Sequence, residues 1–234
     1  MGVPAFLAAV CALLYLYVSR IELDSIEQRS LNVGRLSEAI LEHVELTVVS
    51  TVLVILIAVP VGILLTRGFA RRITPPIIAV FNIGQAVPSI GVLALLAVLF
   101  LFTGYRAAIV GLVAYAALPV LRNTMVGLQQ VDRSVLESGR GMGMTKLGVL
   151  TRLELPLAVP VILAGIRTAL VINVGTATLA TFINGGGLGD IINAGLTTNR
   201  FPVQITGAVL TAVLALFIDY LGGIVEDLLH PRGL

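Results

Sequence analysis

Polar side chains recur at helical spacing inside two long apolar stretches of this sequence. In the first stretch, Asn82, Gln85 and Ser89 are three and four residues apart, so a helix would place them on one face. In the second stretch, Asn173 and Thr176 share a face in the same way. Such groups either line a route for a hydrophilic solute or hydrogen-bond between neighbouring helices. Both interpretations remain open from the sequence.

Two charged residues, Arg167 and Asp219, also lie inside apolar segments. An arginine at the centre of a membrane span costs roughly 2.5–3.5 kcal/mol on insertion scales, so it needs compensation. Three arrangements provide it: an ion pair with Asp219, a side chain that reaches the cytoplasmic interface, or a place in the solute route.

The reactive residues do not form a catalytic pattern. The two histidines, His43 and His230, lie far apart, and Cys11 is the only cysteine. The sequence contains neither a Walker-type phosphate loop nor an HExxH motif. We therefore predict no catalytic residue, no metal site and no cofactor on this chain, and we expect that it is not itself an ATPase.

The composition identifies the environment of these residues. The chain has 234 residues, of which 57% are hydrophobic and 12% charged, and its mean hydropathy is +1.02. Soluble domains carry about 25% charged residues, and a chain of this size cannot bury so much apolar surface in water. A soluble enzyme and a disordered protein are thereby excluded. The net charge of +2, without a dense basic stripe, argues against nucleic-acid binding.

Six apolar segments are long enough to cross a bilayer as helices, which takes about 20 residues each. These segments are residues 3–19, 46–66, 76–102, 107–121, 158–181 and 203–225. We predict an all-α, polytopic membrane protein, in which Pro88 kinks the third span and residues 20–45 form a short external connection. The glycine-rich segment 185–189 is expected to be a turn into a short surface helix near residues 190–196.

The distribution of Lys and Arg orients these spans, because cytoplasmic loops are enriched in both. One side carries Arg67, Arg71, Arg72, Arg133, Arg140, Lys146, Arg152 and Arg232, with Arg122 at its edge. The other side carries Arg20, Arg29, Arg35, Arg106 and Arg200. The bias places the amino terminus and the charged break at 129–154 in the cytoplasm, and the glycine-rich segment outside.

The cytoplasmic break contains a distinctive stretch, ESGRGMGMTKLGVLTRLELP, at residues 137–156. Its polar periodicity suggests two short helices, with glycines that permit a tight reversal between them and Pro156 at the start of the next helix. Such an element would protrude into water and offer a polar face to another protein. A plain solvated loop is the alternative.

This stretch resembles the EAA signature of bacterial ABC-importer permeases, EAA-x3-G-x9-I-x-L-P. Glu137, Gly143 and the Leu155-Pro156 pair stand at the matching positions. Ser138 and Gly139 replace the two alanines of the signature, and Leu153 replaces its isoleucine.

From about Glu42 to its end, the chain resembles the permeases of osmoprotectant importers, the group for glycine betaine, choline and carnitine. The similar segments are residues 84–89, 141–145, 155–167, 172–178 and 186–189. Methionine-importer permeases share the same five-helix core. The resemblance thus implies a type I importer core at residues 46–234, preceded by an additional transmembrane helix and connection at residues 1–45.

The resemblance also implies functional residues and partners. The contact with the ATPase would comprise Glu137, Ser138, Gly139, Gly141, Gly143, Met144, Thr145, Leu155 and Pro156. The partners would be cytoplasmic ATPase subunits that bind ATP and Mg, a second permease subunit (identical or paralogous) and an extracytoplasmic substrate-binding protein. The assembly would lie in the bacterial cytoplasmic membrane. An amino-acid importer, for methionine or a similar substrate, and an ATP-independent carrier remain alternative functions.

Overall fold

The computed structural model describes residues 2–229, and all regular structure in that range is helical. The helices are α1 (Gly2–Arg20), α2 (Ser25–Ser30), α3 (Val33–Leu65), α4 (Thr74–Ala86), α5 (Ser89–Leu99), α6 (Tyr105–Gln129), α7 (Arg133–Gly141), α8 (Lys146–Val149), α9 (Leu155–Ala177), α10 (Leu188–Thr197) and α11 (Phe201–Leu229). His230 and Arg232, which entered the sequence analysis, lie outside the described residues.

Five helical stretches are long and apolar enough to cross a membrane, and the bent pair α4–α5 makes a sixth candidate span. The five are α1, α3, α6, the continuous stretch through α9, and α11. The prediction of an all-α, polytopic protein with about six spans is confirmed.

The third span differs from the single kinked helix that the sequence predicted. Two helices, α4 and α5, meet at 93° across Val87 and Pro88. Val87 is extended, with ψ of 130°, because a residue that precedes proline is disfavoured in the helical region. Proline also cannot donate the backbone hydrogen bond that would continue α4. The helix is therefore broken at this point.

The second span also begins earlier than predicted. Helix α3 starts at Val33, where the side chain of Asn32 accepts a hydrogen bond from the backbone N–H of Arg35 at 2.8 Å. Residues 33–45, predicted as part of an external connection, are thus the first turns of this helix. The charged residues in these turns lower the local hydropathy, so the apolar pattern alone does not reveal their helical structure.

Helices α3, α6 and α9 form the centre of the bundle, where small residues allow the backbones to approach closely. A Cβ on Gly62 would lie 2.8 Å from Thr124 of α6, and one on Gly165 would lie 2.6 Å from Asn123. Helix α11 packs on α9 and α10, and α1 packs on α11 with only Leu7 buried. The exposed apolar faces of α1 and α11 are consistent with contact with lipid.

Candidate functional site

The charged break at residues 129–154, which we predict to be cytoplasmic, forms the two short helices that the sequence predicted. Asp132 begins α7, since its carboxylate accepts the backbone N–H of Ser134 at 2.8 Å, and the bonds from Ser134 lower the pKa of Asp132. Thr145 begins α8, where its hydroxyl oxygen accepts the N–H of Gly148 at 3.1 Å. Pro156 lies in the first turn of α9, directly after the π-helical segment Leu150–Glu154.

Gly143 makes the turn between these helices. Its φ is +84°, a conformation that favours glycine, and its N–H donates to the carbonyl of Arg140 at 2.9 Å. The next N–H, from Met144, donates to the carbonyl of Gly139 at 3.1 Å. A Cβ on Gly143 would meet nothing within 4 Å, so this side of the turn faces open space.

The predicted coupling residues divide into a surface set and a packed set. The exposed members are Glu137, Ser138, Gly141, Gly143, Thr145 and Pro156. Gly139 is buried, and the side chain of Leu153 lies so close that a Cβ on Gly139 would be 2.5 Å from Leu153 Cδ1. Met144 and Leu155 are half-buried. Gly139 and Met144 therefore belong to the interior of the element.

Two apolar residues that the sequence analysis did not single out project beside the turn. Met142 is 75% exposed and Leu147 is 69% exposed. Large apolar side chains so exposed on an element outside the membrane spans are typical of a protein contact. Their position next to the Gly143 turn could have been inferred once the two short helices had been predicted.

Near this element, the sequence analysis also missed an ion pair between residues distant in sequence. Arg67, just after α3, binds the carboxylate of Glu154, just before α9, through both terminal nitrogens. The Nη1–Oε1 distance is 3.2 Å, and Glu154 is only 4% exposed. Because the two residues are far apart in sequence, no local pattern reveals that they pair. The one signal was the position of Glu154 directly before a membrane span, where a carboxylate needs a partner.

The polar residues of the third span do not share one helical face. Asn82 and Gln85 lie on α4, whereas Ser89 is the first residue of α5, beyond the right-angled break. The side-chain oxygen of Asn82 accepts from Arg122 Nη2 at 2.6 Å, and Gln85 Nε2 donates to the carbonyl of Tyr115 at 3.1 Å. Asn82 and Gln85 thus both reach α6.

Asn173 is fully buried between α9 and α3. Its Nδ2 donates to the hydroxyl oxygens of Ser50 at 2.9 Å and Thr51 at 3.0 Å. Thr176 is half-buried and donates to the carbonyl of Ile172 on its own helix at 2.6 Å. In this conformation Asn173 makes hydrogen bonds between helices. This is the second of the two interpretations that the sequence left open, the first being that it lines a solute route. The place of these two residues in the route stays a prediction.

Arg167 pairs with Asp219, one of the three arrangements that the sequence allowed. Nε donates to Oδ1 at 2.6 Å and Nη2 to Oδ2 at 2.8 Å, while Nη1 reaches Glu226 at 3.4 Å. The arginine side chain lies across Gly222 and Gly223 of α11, where a Cβ would come within 3.3 Å of it. These groups border a groove of about 470 Å³ between α9 and α11.

At the end of the bundle that we predict to lie outside, the glycine-rich segment contacts the start of α3. The N–H of Gly187 donates to the carboxylate of Glu42 at 2.9 Å, and the N–H of Leu188 donates to His43 Nδ1 at 3.2 Å. Nε2 of this buried ring then carries the proton and donates to the carbonyl of Val174 at 2.9 Å. The predicted short surface helix follows as α10. The bonds from Gly187 and Leu188 fix the start of α10 on α3.

Comparison with known proteins identifies the family. Residues 58–232 match the family described as "Binding-protein-dependent transport system inner membrane component", which is more than half of the chain. The chain belongs to this family. It is accordingly a multi-pass protein of the inner membrane, and its fold is that of the type I permeases of ABC importers.

Relatives of known name cover nearly the whole chain. The choline transport system permease protein OpuBB of Bacillus subtilis (strain 168) is 44% identical over 203 residues, which are 87% of this chain and 92% of the relative. OpuCB of the same strain, a glycine betaine/carnitine/choline transport system permease protein, is 44% identical over 82% of this chain and 88% of its own. The resemblance to osmoprotectant permeases is confirmed.

A solved structure supports the same fold. An inward-facing structure of the MetNI methionine ABC transporter superposes with a TM-score of 0.75 at 25% identity, over 88% of this chain and 99% of that chain. The five-helix core that both importer groups share is therefore present here.

Proposed function

We propose that this chain is the membrane permease subunit of an ATP-driven importer for osmoprotectants such as glycine betaine, choline or carnitine. The observation that carries this proposal is the 44% identity to two osmoprotectant permeases along nearly the full length. The methionine transporter matches in fold but at only 25% identity, which favours osmoprotectants over the amino-acid alternative. A family described as binding-protein-dependent argues against an ATP-independent carrier.

ATP and Mg would be bound by a separate cytoplasmic ATPase that docks on α7 and α8. The exposed turn at Gly143, flanked by the apolar side chains of Met142 and Leu147, supports this docking surface. Apolar side chains exposed to water give favourable free energy when a partner buries them. The open space beside Gly143 would then be filled by the partner.

The route for the substrate would form between this chain and a second permease subunit, identical or paralogous. Asn82 and Gln85 on α4 are the side chains that we assign to it first, because α4 has no buried residue in the single chain. Ser89 and Thr176, both half-buried, would join the route if the helices turn during transport. A binding protein outside would deliver the substrate, with the segment 185–189 and α10 at the outer surface.

Uptake into proteoliposomes tests this function. The vesicles would hold the permease, its ATPase and its binding protein, with ATP on the ATPase side and labelled glycine betaine on the other. We expect ATP-dependent accumulation that choline or carnitine inhibits and methionine does not. Gly143→Asp should abolish it, because the new side chain occupies the docking surface while the permease still folds, since aspartate tolerates positive φ better than most residues.

A matched variant separates docking from added charge. Gly2→Asp introduces the same group at the exposed start of α1, also with nothing within 4 Å, but outside α7, α8 and the α3–α4 corner. It should retain accumulation and co-purification of the ATPase. Normal uptake by Gly143→Asp would refute the docking surface, and accumulation of methionine alone would change the substrate but keep the importer.

A further inference from the structure

The bond between Arg67 and Glu154 joins two parts of the chain that are distant in sequence. Glu154 ends the π-helical segment Leu150–Glu154, which connects α8 to α9. Arg67 follows the last turn of α3, and its Nε also donates to the carbonyl of Ile63 at 3.2 Å and to Thr66 Oγ1 at 3.1 Å. The guanidinium is thus fixed on the end of α3, while its two terminal nitrogens hold the carboxylate.

On one side of this bond lies the coupling element. Leu153, the neighbour of Glu154, packs against the buried Gly139 of α7, and the buried Val149 ends α8. π-Helical turns are rare and occur frequently at functional sites. A displacement of α7 and α8 would therefore carry the π segment and Glu154 with it.

On the other side lies the corner between α3 and α4. The hydroxyl of Thr74 is within hydrogen-bond distance of the carbonyl of Leu65 at 3.0 Å and of that of Ala70 at 2.9 Å. The end of α3, the short turn Gly68–Ala70 and the start of α4 are therefore one hydrogen-bonded unit. Helix α4 extends from this unit and carries Asn82 and Gln85, while none of its residues is buried in the single chain.

We propose that Arg67 is a positioning residue for transport: through Glu154 it transmits movement of the coupling helices to the α3–α4 corner and hence to the route-lining helix α4. Without this bond, the coupling element would act on the membrane helices only through its covalent connections to α6 and α9, and the α3–α4 corner would no longer be held to it. This inference rests on the proposed function, because it assigns a task within the ATP-driven cycle.

The carboxylate of Glu154 is suited to this task because it is buried and is bound by both terminal nitrogens of Arg67. A buried carboxylate that loses its arginine is strongly unfavourable, so the two groups move together. Lysine offers one point charge in place of the fork, which makes Arg67→Lys a graded change.

The test measures ATP hydrolysis and glycine betaine uptake in the same proteoliposomes. Glu154→Gln keeps the side-chain volume but removes the charge. We expect hydrolysis within about twofold of wild type and a fall of roughly fivefold or more in substrate taken up per ATP hydrolysed, the scale of an ordinary coupling between sites. Arg67→Lys should give an intermediate ratio, and the exchange Arg67→Glu with Glu154→Arg should restore part of it.

Arg72→Gln is the matched control, because this exposed arginine lies at the same corner and makes no ion pair among the described residues. Its ratio should equal that of wild type. An unchanged ratio in Glu154→Gln would overturn the role of the bond. So would a parallel loss of hydrolysis, uptake and protein yield that the exchange does not repair, because that pattern marks a purely structural bond. Absence of ATP-dependent uptake in wild type would overturn the proposed function and this inference together.

Discussion

At Arg167 one side chain meets two carboxylates through unequal bonds. Asp219 receives two short ones, whereas Glu226 receives one at 3.4 Å. Asp219→Asn should therefore lower the free energy of unfolding more than Glu226→Gln does. The loss for Asp219→Asn should be at most about 2.5–3.5 kcal/mol, which is the insertion cost of an uncompensated arginine. Glu226→Gln should cost about 0.2–1 kcal/mol, as for a partly exposed ion pair.

Denaturant unfolding of the purified permease in detergent measures both variants. Adding Arg167→Met to Asp219→Asn should recover part of the loss, because the arginine charge is then removed and only Glu226, near the end of α11, is left without its partner. Equal losses in the two single variants, or a double variant that is simply additive, would show that Asp219 does not hold Arg167 energetically.

Single residues were predictable from the sequence where their effect is local. The turn at Gly143 and the helix start at Pro156 follow from backbone preferences, and the structure has both. The partners of Asn173 and Glu154 were not predictable, because they lie more than 80 residues away in sequence. Only the packing of the bundle places these groups together.

At the scale of elements, Pro88 determines the shape of the third span. The residue breaks what hydropathy reads as one segment into two helices at 93°. In Pro88→Ala the backbone N–H returns and the restriction on Val87 disappears, so α4 can extend towards α5. We expect the angle to open and transport to fall, because Asn82 and Gln85 would turn relative to the rest of α4–α5.

Spin labels at Val80 and Val98 report this angle. Both side chains are well exposed, one on each helix, and the exposed Cys11 would first be replaced by serine. The mean distance between the labels should increase in Pro88→Ala. An unchanged distance would mean that packing on α6, and not proline, sets the bend.

The elements show what a hydropathy pattern detects and what it omits. It located every long span because apolar length is a property of the local sequence. It missed the first turns of α3, where charged residues serve the outer surface: Arg35 pairs with Asp190 at 3.4 Å, and Glu42 binds Gly187. Residues that tie two elements together outside the membrane do not follow the apolar pattern of either element.

For the whole molecule, the fold followed from composition and the family from one short stretch at residues 137–156, whereas the orientation inferred from charge stays a prediction. The substrate has no comparably clear signal in this chain. The sequence has no Trp, and its five Tyr are scattered, so no local motif indicates the aromatic box that recognises quaternary ammonium groups. Asn82 and Gln85 each already use one atom of the side-chain amide in a hydrogen bond to α6, so neither side chain is wholly free to bind a solute in this conformation.

Substrate choice should therefore follow the binding protein. With this permease and its ATPase held constant, we expect a choline-specific binding protein to give choline uptake and a glycine betaine-specific one to give betaine uptake, provided that both dock. The substrate concentration for half-maximal uptake should track the affinity of each binding protein. A permease that accepts only one of the two substrates from docking-competent partners would contain a selective site of its own, and the assignment of Asn82 and Gln85 to a weakly binding route would then be wrong.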